Sequence, residues 1–299
     1  MRKARREFLQ TVAGGAMVAA VPGAGAGQSR SAVFTAKGSA DKAIPALVEK
    51  LGGIEKFVKP KSRVLIKPNM SFSNPPSWGT GTSPLALKTL VSLCLEAGAR
   101  RVVIADHTIR EAALCREKTG FDKVVDPLKG AVLFTPDKQD QFVEKKNDDA
   151  KMLTRVELLK ELDRADTLIC LPTAKSHSAA GVSLGIKGLM GLVWDRSALH
   201  AEMDLHQAIA ELLYYIKPSL TIVDASRALL DNGPAGPGKV VNLETFVGGI
   251  DPVAVDSIAV TKAQWYGMNL TGEKVKHLKI ASRLGFGNVA TDRIDEIVV

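Results

Sequence analysis

The chain has 299 residues, 45% hydrophobic and only 5% aromatic, with 40 basic against 32 acidic residues and a formal net charge of +8. The basic surplus is spread along the chain, and few aromatic rings are available to stack on bases, which argues against a nucleic-acid binder. It fits a small anionic molecule better, and a chain of this length can bury one large core or two smaller ones.

Arg5 and Arg6 precede Phe8 and Leu9, a Gly/Ala-rich apolar run over 11–21 and the small residues Ala24, Gly25 and Ala26. This layout predicts a removable twin-arginine export signal over 1–26, read by the twin-arginine translocation machinery, and a periplasmic or otherwise exported protein. The apolar run is short for a bilayer, which needs about 20 apolar residues. No later segment is longer or more apolar, so no stable membrane insertion is expected. Removal of Arg2, Lys3, Arg5, Arg6 and Glu7 with the signal lowers the net charge from +8 to +5.

After a polar lead-in at 27–31, a strand is predicted at 32–35 and a helix at 42–51. A buried strand at 63–67 is stopped by Pro68, and a helix at 84–97 opens with Ser83 as cap and Pro84 in its first turn. A strand at 101–106, a short helix near 110–118 and a strand at 131–135 follow. The charged stretch 137–151 reads as a loop, with a strand at 152–156 behind it. A core strand at 167–171 ends at Pro172 and leads to a Gly-rich segment, 181–191. Leu205, Ile209, Leu212, Leu213 and Ile216 form one apolar stripe, which predicts a helix over 204–216. Strands at 220–224 and 240–247, helices at 252–265 and 274–284 and a closing strand at 293–299 complete the pattern.

Short continuous apolar strands alternating with amphipathic helices predict an α/β fold: a mainly parallel sheet flanked by helices in Rossmann-like layers, with an inserted segment. With no internal repeat and no linker, 27–299 reads as a single α/β domain. Cys94, Cys115 and Cys170 lie far apart among apolar residues and read as small core side chains. Their number and spacing argue against an iron–sulfur cluster, which usually wants four thiolates.

Ligands of open α/β sheets sit beyond the carboxyl ends of the strands, so four loops carry the candidate chemistry. They are Lys67-Pro68-Asn69, Asp106-His107, the stretch from Pro172 through Lys175 and His177 to Ser178, and Asp224. Lys175 and His177, two apart on an extended loop, can face the same way, pairing a positive charge with a group that moves protons near neutral pH. Asp106 reads either as part of this site or as a helix cap beside a solvated His107.

The segment from Gly181 to Gly191 matches neither a dinucleotide fingerprint nor a P-loop. With Ser183 and Lys187 it reads either as a backbone nest for an oxyanion or as a close-packed turn. His200, Asp204 and His206 read either as ligands of a divalent metal or as a solvated helix start capped by Asp204. Asp231 opens a Pro/Gly-rich loop that ends at Gly238. Asp251 reads as a helix cap, and Asp256 stands as a carboxylate on an otherwise apolar helix.

As an ordered series, Val64 to Asn69, Leu171 to His177, Gly185 to Gly188 with Gly191, His200, Asp231 to Gly238, and Asp251 to Asp256 resemble the family catalogued as domain of unknown function 362. The resemblance covers roughly residues 32–298 and implies an α/β domain without naming an activity. Many members of that family also carry a ferredoxin-like segment with clustered cysteines, which this sequence lacks, so no electron-transfer role carries over. A more distant likeness, of residue types and not of alignable motifs, is to enzymes of the lactate racemase type with a nickel-pincer cofactor.

The expectation is an exported enzyme acting on a small anionic substrate by proton transfer, as in isomerisation, or by metal-assisted hydrolysis. Lys175 and His177 are its candidate catalytic residues, and Lys67, Asn69, Ser183 and Lys187 bind substrate. His200, Asp224, Asp231 and Asp256 are the candidate ligands of a divalent metal. The alternative is a non-catalytic protein that binds an anionic ligand or a metal-bearing cofactor.

Overall fold

The computed structural model describes residues 30–299, so the expected export signal over 1–26 lies outside the described residues. The strands are β1 (Ser31–Lys37), β2 (Arg63–Pro68), β3 (Arg101–Ala105), β4 (Ala131–Phe134), β5 (Phe142–Lys146), β6 (Arg155–Leu159), β7 (Thr167–Leu171), β8 (Thr173–His177), β9 (Gly181–Ser183), β10 (Leu220–Leu229), β11 (Val240–Gly249), β12 (Gln264–Trp265), β13 (Met268–Asn269) and β14 (Ile294–Val298). The helices are α1 (Ala40–Lys50), α2 (Pro84–Glu96), α3 (Ala112–Thr119), α4 (Phe121–Val125), α5 (Glu161–Arg164), α6 (Gly185–Gly188), α7 (Arg196–Ala201), α8 (Leu205–Glu211), α9 (Pro252–Val260) and α10 (Lys276–Arg283).

The main sheet runs β14-β1-β11-β10-β7-β2-β3-β4. Strands β10, β7, β2, β3 and β4 are mutually parallel, and β11 alone runs against both of its neighbours. The expected mainly parallel, helix-flanked sheet is therefore the observed fold. Its central strands carry apolar residues at successive positions, as in Val64 to Ile66, Val102 to Ala105 and Leu168 to Leu171, because both faces are covered. Val64, Ile66, Val102, Ile104, Ile169 and Leu171 point into the core under α1, α2 and α4. Leu65, Val103, Leu168 and Cys170 point into the opposite core, with residues of α8, α9 and α10. Each such side chain contributes roughly 1.5–3 kcal/mol through burial. The three cysteines are buried and unbridged, as expected of core side chains.

Several predicted elements change at their edges. The stretch 137–151 is not all loop: β5 pairs antiparallel with β6 in a separate two-stranded ribbon. Its outward residues, Glu144 and Lys146, are exposed, which is why its charge pattern resembles a loop. The helix expected over 252–265 ends at Val260, and the chain turns back through β12 and β13. Asp204 caps α8 by accepting the amides of His206 and Gln207 at 2.9 and 3.1 Å, so α7 and α8 are separate helices. No helix among the described residues is long and apolar enough to cross a membrane.

The change that bears on function lies after Pro172. Residues 173–177 form a strand and not a loop: β8 pairs with β10 at Asp224↔Thr173 and Leu229↔Lys175, with a register shift between them, and with β9 on its other side. Lys175 stands opposite Ser183 in that ladder. Side chains alternate along a strand, so Lys175 and His177 share one face, as their two-residue spacing predicts.

Candidate functional site

Each strand exit contributes one part of the site. Where β2 and β7 end, Asn69 ties the exits together. Its Oδ1 accepts the Thr173 amide at 2.9 Å, its own amide donates to Thr82 Oγ1 at 2.9 Å, and that hydroxyl donates to Leu171 O at 2.7 Å. Lys67 is 1% exposed and pairs with the buried Asp106 carboxylate at 3.2 Å, while also donating to Pro68 O. The second Asp106 oxygen accepts from the Met70 amide at 2.7 Å and from Ser71 Oγ at 3.0 Å. Asp106 is therefore neither a cap nor a solvated group. It is the counter-ion at the base of the site, joining two strand exits.

Gly191 lies directly over this ion pair. A Cβ there would fall 2.0 Å from Asp106 Oδ1 and 2.8 Å from Lys67 Nζ, so only glycine lets the chain cross. The Pro/Gly loop after β10 docks in a similar way. The Gly233 amide donates to Ser176 Oγ at 3.0 Å, and Pro234 joins the cavity wall.

The cavity above measures about 700 Å³, large enough for a small ligand. Lys175, Lys187 and Arg196 line it, together with Asn69, Ser183, His177 and His200. No carboxylate of the described residues lines it. Lys175 is 3% exposed; its amine donates to Thr80 O and sits 5.0 Å from the centre of the Phe72 ring. Burial, then the charges of Lys187 and Lys67, bring its amine from 10.5 down to about 7, against the pull of Asp106. Burial and the charge of Arg196 bring Lys187 down to about 8. Cations without matching anions in a concave, partly dry site favour an anionic ligand.

The two histidines in the wall are set as opposite tautomers. His177 Nδ1 faces the amides of Ala179 and Ala180, both at 3.2 Å, and must accept from them. Its proton therefore sits on Nε2. Burial and then the charges of Lys187 and Lys175 take its pKa down to about 3, so it stays neutral. In this tautomer His177 presents an Nε2–H donor. His200 Nδ1 lies 2.9 Å from Arg196 O and donates to it, which leaves Nε2 bare. The two rings stack 6.1 Å apart at 25°.

The carboxylates expected at a metal are engaged elsewhere. Asp256, fully buried on α9, accepts the amides of Gly185 and Ile186 at 2.8 and 2.9 Å and caps α6. Burial pushes its carboxyl up to about 7. Those two amides thereby leave the nest expected in the Gly-rich segment, although Ser183 and Lys187 do reach the cavity. Asp224 accepts from the Ser83 amide at 2.7 Å and the Ser226 amide at 2.9 Å. Asp231 accepts the Lys239 amide at 2.7 Å. His200, Asp224, Asp231 and Asp256 do not converge, and no cluster of three His, Cys, Asp or Glu side chains suited to a metal occurs among the described residues.

Sequence reasoning missed Arg196, whose guanidinium donates to His107 O and to Thr108 O. Nothing in its neighbourhood marks it: it follows Asp195, the cap of α7, like an ordinary first-turn residue. Phe72 was missed too, because it lies beyond the strand exit in a stretch without regular structure.

Residues 64–261 match the model of the family described as "Domain of unknown function (DUF362)". The chain belongs to that family. This DUF362 protein is 28% identical over 204 residues to a thylakoid-associated protein of Synechocystis, a match covering 66% of this chain and 62% of that one. Among solved structures it is similar to the lactate racemase apoprotein from Thermoanaerobacterium thermosaccharolyticum, with a TM-score of 0.52 and 15% identity over 78% of this chain and 58% of that one. That likeness establishes a shared fold. A Thermotoga maritima protein aligns with a TM-score of 0.45 and 11% identity, over 83% of this chain and 60% of that one. The chain thus spans about three fifths of the length of each of these proteins.

Proposed function

We propose that this DUF362 protein is an enzyme that moves a proton on a small carboxylate or phosphate substrate. One observation carries the reading: a donor and an acceptor imidazole lie side by side in the wall of a cavity lined by Lys175, Lys187 and Arg196 and, among the described residues, by no carboxylate. Lys187 and Arg196 hold the anionic group. His200, with Nε2 unprotonated, takes the proton, and the Nε2–H of His177 stabilises the negative charge that develops on oxygen. A neutral imidazole is a suitable donor here because its proton matches a weakly basic oxyanion without neutralising the ligand. Lys175, its pKa lowered to about 7, is a second group able to exchange a proton near neutrality.

The racemase that shares the fold acts, by its name, on lactate, which makes 2-hydroxy acids and their 2-oxo counterparts the first compounds to test. In deuterated water the protein should wash deuterium into a carbon-bound position of at least one of them, followed by proton NMR. His200→Ala should remove the wash-in while His200 variants retain the wild-type melting temperature. No wash-in into any small carboxylate or phosphate ester would sink the reading.

A second reading is a non-catalytic protein that captures an anionic ligand or a metal-bearing cofactor, and the bare Nε2 of His200 favours it. His200 would then bind the metal, with Lys187 and Arg196 on the anionic groups. The bound metal would supply Lewis acidity. Elemental analysis and mass spectrometry of protein purified natively from its own compartment test this directly. Arg5 and Arg6, with the apolar run behind them, support delivery outside the cytoplasm by the twin-arginine route. Fractionation of cells with Arg5 and Arg6 both changed to Lys tests that delivery.

A further inference from the structure

We infer that Lys175 is a covalent, imine-forming residue and that the substrate class of this site is a 2-oxo acid. This inference rests on the proton-transfer reading and deepens it. An amine attacks a carbonyl only when its nitrogen lone pair is free, and an ordinary surface lysine keeps that lone pair protonated at neutral pH. The surroundings of Lys175 remove the proton in two ways. Its side chain, projecting from β8, is shielded from water, which disfavours the charged form. Lys187 and Lys67 add like charge nearby, and no carboxylate pairs with it directly. One N–H remains donated to Thr80 O, which fixes the nitrogen and leaves its lone pair available.

The other two lysines lack this combination. Lys67 is ion-paired to Asp106 behind the wall and does not reach the cavity. Lys187 reaches the cavity from α6 but is more exposed and has no hydrogen bond that fixes it. It is better placed, with Arg196, to hold a carboxylate. A ligand that uses both features carries a carboxylate next to a carbonyl.

The step balances without an added oxidant or reductant. The Lys175 nitrogen forms a bond to the carbonyl carbon, the C=O π pair moves to the oxygen, and an N–H proton passes from the nitrogen to that oxygen. The His177 Nε2–H stabilises that oxygen as charge builds on it. The hydroxyl of the resulting carbinolamine takes up a second proton, from solvent, and leaves as water while the nitrogen lone pair closes the C=N bond, so the nitrogen is left as a protonated imine. That cation acidifies the C–H beside the former carbonyl carbon, and the bare Nε2 of His200 is the acceptor for that proton.

The test is reductive trapping. The intact protein is incubated with pyruvate, 2-oxobutyrate or phenylpyruvate, treated with sodium borohydride, and analysed by intact mass and peptide mapping. Lactate, which has the carboxylate but no carbonyl, is the control, and each acid is also scored by its shift in melting temperature. A single reduced adduct mapping to Lys175 with a 2-oxo acid, none with lactate, and loss of the adduct in Lys175→Met bear out the inference. The mapping is done on the unaltered protein, so the outcome does not depend on whether Lys175→Met folds. An adduct on Lys187 or spread over surface lysines overturns it. A thermal shift with the 2-oxo acids and lactate alike, without adduct, overturns the imine and leaves the proton-transfer reading standing. Neither shift nor adduct with any acid overturns this inference together with the carboxylate-binding role of the cavity.

Discussion

Asp224 and Asp256 are buried as deeply as Lys175, yet the fold treats the two kinds of charge differently. Asp224 accepts the remote Ser83 amide and the Ser226 amide of its own strand, Asp256 accepts the remote amides of Gly185 and Ile186, and neither aspartate reaches the cavity. They behave as internal caps, Asp224 tying the start of α2 to β10 and Asp256 tying α6 to α9. Lys175 and Lys187 face open volume, and like charge surrounds them. A buried charge whose hydrogen bonds are complete stabilises a particular fold. A buried charge that lacks its counter-charge beside a cavity costs stability, which on the reading proposed above is the cost of holding a ligand.

The sharpest way to break this comparison is to remove one member of each set. Lys175→Ala should lower any turnover by about 100-fold or more without lowering the melting temperature, measured on the same samples. Asp256→Ala should do the reverse. The amides of Gly185 and Ile186 would lose their acceptor inside the core, a cost of about 3 kcal/mol that is read by urea unfolding. If Asp256→Ala is as stable as the parent, Asp256 is not the structural cap described here.

Gly191→Ala tests the ion pair under the cavity floor. Its Cβ would overlap Asp106 Oδ1, so the pair must move, and a loss of about 2 kcal/mol is expected from the displaced contact. An unchanged unfolding midpoint would show that the floor gives way easily.

A finer test uses pH. The folded-state pKa of Lys175 is lowered from 10.5 to about 7, so between those values the unfolded chain holds a proton that the folded chain has lost. The stability of the parent protein should therefore rise with pH across this window, relative to a variant without the amine. Lys175→Met should be more stable than the parent by about 2 kcal/mol at pH 7, an advantage that shrinks toward zero as pH passes 10.5. A constant gap would mean that the amine is not held neutral by its surroundings. The smallest expected effect is kinetic: burial lowers the pKa of His200 from 6.5, so proton transfer should persist below that pH before its acid limb appears.

Much of this arrangement is legible in the amino-acid order. Runs such as Val64 to Ile66 and Leu168 to Leu171 are apolar at consecutive positions, which requires a sheet covered on both faces, and Pro68 and Pro172 mark where two of its strands stop. The residues just past those stops include Asn69, Lys175 and His177, all of which reach the cavity. Local pattern was enough there because strand period and proline geometry act over a few residues.

Partnership was not legible, since it is set by groups far away along the chain. The partner of Lys67 is Asp106, those of Asp256 are Gly185 and Ile186, and that of Asp224 is the amide of Ser83. A carboxylate in a sequence carries no sign of whether it will meet amides or a metal. Likewise the proton on His177 or His200 follows from whether Nδ1 faces an amide or a carbonyl. Sequence alone determined the sheet, its exits and the cations gathered at them. Tertiary structure decided which charges are satisfied and which imidazole donates, because desolvation and hydrogen bonding depend on neighbours that only the folded chain brings together.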